Sequence, residues 1–230
     1  HKWLDRLFFS VHLPISRRFL FSDDNQELWL MYLLGKHFGL AYPESMVDIG
    51  ANDPLKLNNT YFFEKLYQTK VYSFEPNIEL AERWQAIRPL SEIRFIGISS
   101  QVQQLHLQLP IQQQLEGVDT HVFGSLSTGQ SKLNKYDLQQ TRVIAVEVGP
   151  LVTYLVPGHY DALFIDTEGH ELEVLKGIDF QKFSFKVVVI ENNHEPGGSR
   201  AIRQKMQEAG YRLVMRSYRL DDYYVRLNPL

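Results

Sequence analysis

The chain reads as an α/β fold: a mostly parallel, twisted sheet with helices on both faces, finished by an antiparallel hairpin at the carboxyl end. Three observations carry this. Between residues 24 and 98, short apolar runs alternate with helix-period segments, the pattern of parallel strands joined by crossover helices. Residues 161–165 and 186–191 are almost continuously apolar, as strands buried on both faces must be. Residues 211–215 and 223–227 are β-rich and separated only by Arg219-Leu220-Asp221-Asp222, close enough to pair as a hairpin.

Taken in order, residues 3–11 form an amphipathic stretch closed near Pro14. Asp24-Asn25-Gln26-Glu27 has the spacing of a capping box. It opens a helix whose apolar face includes Leu28, Met31, Leu34 and His37 and which stops at Gly39. Strands follow at 46–49, 70–74 and 93–98, separated by helices at about 59–67 and 78–87. After the later apolar strands, 199–209 reads as a helix ended by Gly210. Residues 1–44 are therefore expected to be a helical segment packing on the core, and 45–230 a single domain with no linker or repeat.

An insertion interrupts that domain at about 102–148. Residues 102–109 alternate apolar and polar side chains through Leu105, Leu107 and Leu109, and 141–148 does likewise, so the two are expected to pair. The connection between them, 110–140, is polar and glutamine-rich, with Gly117, Gly124 and Gly129 as flexible points. Connections of this length serve as lids or binding loops, or are surface excursions, and both readings stand.

Function is legible at two strand ends. Residues 46–52 read M-V-D-I-G-A-N, and residues 71–77 read V-Y-S-F-E-P-N, with Asp48 and Glu75 lying 27 positions apart. In open parallel sheets, ligands sit outside the carboxyl ends of the strands, and an acidic residue about 20 positions past the first turn can accept two ribose hydroxyls. The turn Gly50-Ala51-Asn52-Asp53-Pro54 holds a single glycine. A dinucleotide site needs G-x-G-x-x-G so that backbone can cradle a pyrophosphate. S-adenosylmethionine (SAM) carries no phosphate, so the turn favours it over a nicotinamide dinucleotide.

Four blocks resemble the FkbM family of SAM-dependent methyltransferases. Asn25-Gln26-Glu27-Leu28-Trp29 is similar to the block preceding the family's first strand. Val47-Asp48-Ile49-Gly50-Ala51-Asn52, followed by Asn58-Asn59-Thr60-Tyr61, resembles its first SAM motif and extension. Ser73-Phe74-Glu75-Pro76-Asn77 resembles its ribose motif, and Phe164-Ile165-Asp166-Thr167-Glu168-Gly169-His170-Glu171 with Val174-Leu175-Lys176-Gly177 its I-D-x-E-G-x-E-x-x-V-L-x-G block. The resemblance implies a class I methyltransferase fold, Rossmann-like and ending in a hairpin. It also implies SAM held by Asp48, Gly50, Ala51, Asn52, Thr60, Glu75, Pro76, Asn77, Asp166 and Glu168. The implied reaction is O-methylation of a small-molecule or glycan acceptor, a hydroxyl on a sugar, glycan or secondary metabolite. Pro54 departs from the pattern, since most such enzymes carry glycine there.

Transfer to an alcohol needs a group to take its proton. Asp166, Glu168, His170, Glu191 and His194 fall at the carboxyl ends of the fourth and fifth strands. His194 is the first candidate for general base and His170 the second, with Asp166 and Glu191 as further catalytic candidates. Glu168 and Glu171 can equally cap a first helical turn. His37 and His106 are read as structural. Asp166, Glu191 and His194 are suited to Mg²⁺, but no spacing demands it, so no metal site is predicted.

Composition narrows the class. The 230 residues are 44% hydrophobic and 22% charged, with a net charge of -3 and no basic stripe, which argues against nucleic acid as partner. With no cysteine, disulfides and thiolate metal sites are excluded, in keeping with a reducing cytoplasm. The densest apolar run, 28–34, is far too short for a transmembrane segment. A chain starting at His1 is expected to have lost its native beginning. Near it, Trp3, Phe8, Phe9, Arg17, Arg18, Phe19 and Phe21 offer a face for the domain itself, or for a membrane or partner. Self-association as a homo-oligomer is left open. The alternative function is a non-catalytic SAM- or ligand-binding module.

Overall fold

The computed structural model describes residues 22, 25–110, 125–127, 141–192, 198–217 and 221–227. The expected stretch at 3–11, Pro14 and most of the 110–140 connection lie outside these residues. In chain order the elements are α1 (Gln26–Phe38), β1 (Ser45–Ile49), α2 (Tyr61–Tyr67), β2 (Lys70–Phe74), a 3-10 turn (Ile78–Leu80), α3 (Ala81–Ile87), β3 (Glu92–Arg94), β4 (Gly97–Ile98) and β5 (Gln103–Pro110). Then come β6 (Ser125–Ser127), β7 (Thr141–Gly149), α4 (Leu151–Tyr154), β8 (Gly158–Ile165), α5 (Glu171–Lys176), β9 (Phe183–Glu191), α6 (Arg200–Glu208), β10 (Tyr211–Arg216) and β11 (Asp221–Arg226).

Seven strands form one sheet in the order β10-β11-β9-β8-β1-β2-β3. β1 is parallel to β2 and β8, β2 to β3, and β8 to β9. Only β11 runs against its neighbours β9 and β10. Apolar side chains leave both faces. On one, Val47, Ile49, Leu163 and Val188 meet Leu151, Val174, Leu175, Ile202 and Met206 of α4, α5 and α6. On the other, Met46, Val71, Phe164 and Val187 meet Leu30, Met31, Leu33 and Leu34 of α1 and Phe62 and Phe63 of α2. The predicted architecture is the one observed, a mostly parallel α/β sheet with helices on both sides.

Several details differ from the sequence reading. At the start of α1, Asn25 adopts a left-handed conformation and caps nothing with its side chain. Instead the Ser22 hydroxyl accepts the Gln26 N–H at 2.9 Å, and Glu27 accepts the Ser22 N–H at 2.8 Å. The box is thus displaced upstream to a hydroxyl better placed to reach the helix. The buried stripe of α1 is Leu30, Met31, Leu33 and Leu34, which leaves Leu28 and His37 at its margins. His37 lines a groove of about 420 Å³ with Lys36 and Arg212. Its imidazole is held below its ordinary pKa by partial burial and then by those two cations.

The strand expected at 93–98 is two strands. β3 ends the large sheet, and β4 starts a second one of order β4-β7-β5-β6. A side chain on Gly97 would come within 2.7 Å of Val148, its partner on β7, so glycine lets β4 lie close against β7 in this second sheet. The insertion is therefore larger than a hairpin. β5 pairs antiparallel with β7 and β6, and β4 runs parallel to β7. Leu105, Leu107, Leu109, Val146 and Val148 give this sheet its own small core, while His106 is exposed on the opposite face. At the carboxyl end, Asp221 and Asp222 belong to β11 and are buried rather than forming the turn. Their burial is made tolerable by partners described below.

Candidate functional site

The strand order turns back on itself at β1, which lies between β2 and β8. In α/β sheets the crevice outside the carboxyl ends at such a point is where ligands bind. The chain after β1 bends at Gly50, where φ is 86°, and its N–H reaches the Phe74 carbonyl of β2 at 2.9 Å. A Cβ at Gly50 would sit 1.8 Å from the Asp166 carbonyl oxygen. The end of β8 is thus pressed against the bend, and only glycine fits. The Ala51 N–H shares the Phe74 carbonyl at 3.2 Å.

Asn52 follows with φ 47°. Its N–H donates to Glu75 at 2.8 Å, and its carbonyl accepts the Trp84 indole N–H at 2.8 Å. The other Glu75 oxygen accepts the Asn77 N–H at 2.8 Å across the bend at Pro76. Asn77 in turn caps the 3-10 turn by accepting the Glu79 N–H. A carboxylate offers about four acceptor positions, so two remain on Glu75 for hydroxyl donors. Glu75 is only 7% exposed. Burial pushes its pKa up to about 6 against its two backbone hydrogen bonds, with a further push from Asp48.

Behind the loop lies a second buried layer. Asp48, 1% exposed, accepts the Thr60 hydroxyl at 2.9 Å. Burial raises its pKa to about 6, opposed by Thr60 and by Arg88. The Asn58 amide donates to the carbonyls of Ala51 and Asp53, while its oxygen accepts the N–H groups of Thr60 and Tyr61. Asn58 thereby clips the loop to the start of α2. The position of Pro54 also becomes intelligible. Asp53 accepts the N–H groups of Leu55 and Lys56 and pairs with Arg83, so the turn closes around Asp53 and needs no N–H from residue 54. Burial works to raise the Asp53 pKa, but these donors outweigh it and hold it below its usual value.

The ends of β8 and β9 have a different character. Asp166 continues the ladder through its N–H to the Ile49 carbonyl at 3.0 Å. Oxygen atoms of Asp166, Glu168 and Glu191 come within 4.8 Å of one another. Burial, then the charges of Glu191, Glu168, Asp221 and Glu171, push the Asp166 carboxyl well above its ordinary pKa. Such a group of oxygens suits a divalent cation or a cationic organic ligand. Of the three residues that the sequence offered as suited to Mg²⁺ without predicting a site, Asp166 and Glu191 are brought together, with Glu168 beside them. His194 lies outside the described residues.

His170 is placed apart from that cluster's chemistry. It stands at the N-cap position of α5 without capping it by its side chain, and its Nε2 lies 3.1 Å from the hydroxyl of Ser99, just past β4. Burial depresses its pKa, against opposing pulls from Glu173 and Glu171. Glu171 neither caps by convention nor faces solvent: one carboxylate oxygen accepts from the Thr167 N–H, the Thr167 hydroxyl and the Gly169 N–H.

One polar network escaped sequence reasoning. Asp222, with no exposed surface, accepts from the Asn192 amide at 2.7 Å, Arg203 at 3.0 Å, Arg216 at 3.0 Å and the Tyr224 hydroxyl at 3.0 Å. Next to it, Asp221 accepts the Gln26 side-chain N–H at 2.7 Å and lies opposite Glu191 in the ladder. This ties the start of α1 to the acidic end of the site. The signal in the sequence was the adjacent Asp pair flanked by arginines at 203 and 216, which spacing alone cannot connect.

Comparison with known proteins adds a family match. A family model described as the methyltransferase FkbM domain matches residues 48–213, which covers the carboxyl ends of β1, β2, β8 and β9. Among solved structures, PH1948 from Pyrococcus horikoshii, proposed to be an RNA methyltransferase, aligns over 100% of this chain and 98% of its own at 13% identity and a TM-score of 0.44. Similarity that remote bears on neither acceptor nor mechanism. No curated protein matches the chain.

Proposed function

The chain belongs to the FkbM methyltransferase family, and from that premise we propose that it transfers a methyl group from SAM to a hydroxyl of a sugar, glycan or secondary metabolite. SAM supplies, when bound, a methyl activated by its sulfonium. The residues present fit that group. Glu75 has two acceptor positions left for ribose hydroxyls, and the bend at Gly50 leaves no side chain between the ribose side and Asp166. Ala51, Asn52, Pro76 and Asn77 line the approach. Asp48 and Thr60, both buried, brace the loop from behind. Asp166, Glu168 and Glu191 set negative charge where the cationic end of the donor would lie.

In this reading the enzyme contributes alignment and removal of water more than covalent chemistry. The acceptor's proton falls to Asp166, whose burial and then the charge of Glu191 hold its carboxyl well above the ordinary pKa. His194, the first candidate from sequence, stands beside it for that role. His170 is assigned to holding α5 against Ser99. None of the described helices is long and apolar enough to cross a membrane.

One observation carries the proposal: Glu75 and the Gly50 bend are on the same side of the sheet, joined by the Asn52 N–H at 2.8 Å. Calorimetric titration with SAM tests it. Wild type binds, and Glu75→Ala loses about tenfold or more in affinity, the scale of one charge-assisted hydrogen bond. An equal affinity in folded Glu75→Ala would remove the ribose assignment. Production of S-adenosylhomocysteine against a panel of hydroxylated sugars and metabolites then identifies the acceptor.

A further inference from the structure

The loop from Asp166 to His170 carries two of the three clustered carboxylates, and its shape is not one that its residues favour. Glu168 has φ 53° and Gly169 has φ 104°. For a residue with a long side chain the left-handed region is unfavourable and persists only where neighbours enforce it. The enforcing group is Glu171. A single Glu171 oxygen accepts the Thr167 N–H at 3.1 Å, the Thr167 hydroxyl at 3.0 Å and the Gly169 N–H at 2.9 Å. These donors flank Glu168 on both sides, while the Asp166 N–H is fixed to β1 through Ile49. Glu171 is itself buried and so does not present its carboxylate to a ligand.

We propose that Glu171 is a positioning residue that sets the aim of Asp166 and Glu168 toward the cationic end of the donor. This rests on reading the site as a SAM pocket. Glu171 acts in two separable ways. Its oxygen shapes the loop, and its charge joins Glu191, Glu168 and Asp221 in opposing ionisation of Asp166. Those four carboxylates come from α5, β9, the loop itself and β11.

Glutamine separates the two effects, because it keeps an oxygen in place and removes the charge. SAM binding is measured by calorimetry from pH 5 to 8 on wild type, Glu171→Gln and Glu171→Ala, with hydrogen exchange at the Thr167 and Gly169 amides in the ligand-free proteins. Glu171→Ala loses about tenfold or more in SAM affinity and exchanges faster at both amides. Glu171→Gln restores affinity to within about threefold of wild type and keeps both amides protected. Wild-type affinity and exchange in folded Glu171→Ala overturns the proposal, as does a Glu171→Gln that loses affinity and protection as Glu171→Ala does. If Glu171→Ala does not fold, Thr167→Val, which removes one donor to Glu171, decides by the same two readouts. Absence of SAM binding in wild type itself, with amide exchange still accelerated in Glu171→Ala, sinks the donor-pocket reading while leaving the loop-shaping role intact.

Discussion

The two halves of the site hold their carboxylates by opposite means. On the β1–β2 side, Glu75 is gripped by the N–H groups of Asn52 and Asn77, and Asp48 by the Thr60 hydroxyl. Neutral donors hold these two groups, while Asp53 beside them is paired with Arg83. On the β8–β9 side, Asp166, Glu168 and Glu191 crowd together with Asp221 and Glu171 nearby, and the strain is electrostatic. The first half is organised in advance; the second is organised for a positive charge to arrive. A donor with a neutral ribose at one end and a sulfonium and ammonium at the other matches that asymmetry.

Substitutions can break the contrast. The largest effect is expected at the hinge between the halves. Gly50→Ala meets the Asp166 carbonyl and a backbone φ of 86°, and costs on the order of 2–4 kcal/mol in denaturant-melt stability, together with SAM binding. Next is Glu75→Ala, which orphans two buried N–H groups. It lowers stability by about 2 kcal/mol as well as weakening SAM. Neutralising the other half has the opposite sign. Asp166→Asn raises the ligand-free stability by about 1 kcal/mol through relieved repulsion, while SAM affinity falls. A drop in stability there would show that the acidic half is held as firmly as the other.

Acidification sharpens the comparison further. Glu75 and Asp48 have pKa values of about 6, above their ordinary 4.5 and 3.8. The folded chain therefore takes up protons before the unfolded one as pH falls through 6. Their contribution to ligand-free stability rises as pH drops from about 6 toward 4.5, and declines in the reverse direction. Donor binding needs the ionised forms and runs the other way. The SAM-induced increase in melting temperature is expected to shrink between pH 7 and pH 5 in wild type. In Glu75→Ala the remaining increment changes less over the same window.

What the sequence disclosed follows from how local each feature is. The strand runs, the bend at Gly50 and the acid after β2 are fixed by neighbours within a few positions, and the structure sets Gly50, Asn52 and Glu75 together. The roles of Asn58, Glu171 and Asp222 were hidden because each depends on which N–H or guanidinium folds back onto it. Asp221-Asp222 has the composition of a turn, and only partners at 26, 192, 203 and 216 make it a buried strand end. The break between β3 and β4 left only one trace, the isolated Gly97 in an apolar run, which marks a bulge or close backbone approach without telling that two sheets share residues 92–98. His194, the first choice for general base, lies outside the described residues.

The Asn192 side chain donates to Asp222 and accepts the Ser199 N–H at 2.6 Å. One amide thereby fastens the point where the chain leaves β9 to the point where it enters α6. The end of β9, the start of α6 and the buried Asp222 of β11 thus hang on one side chain, so that Asn192→Ala loosens all three at once.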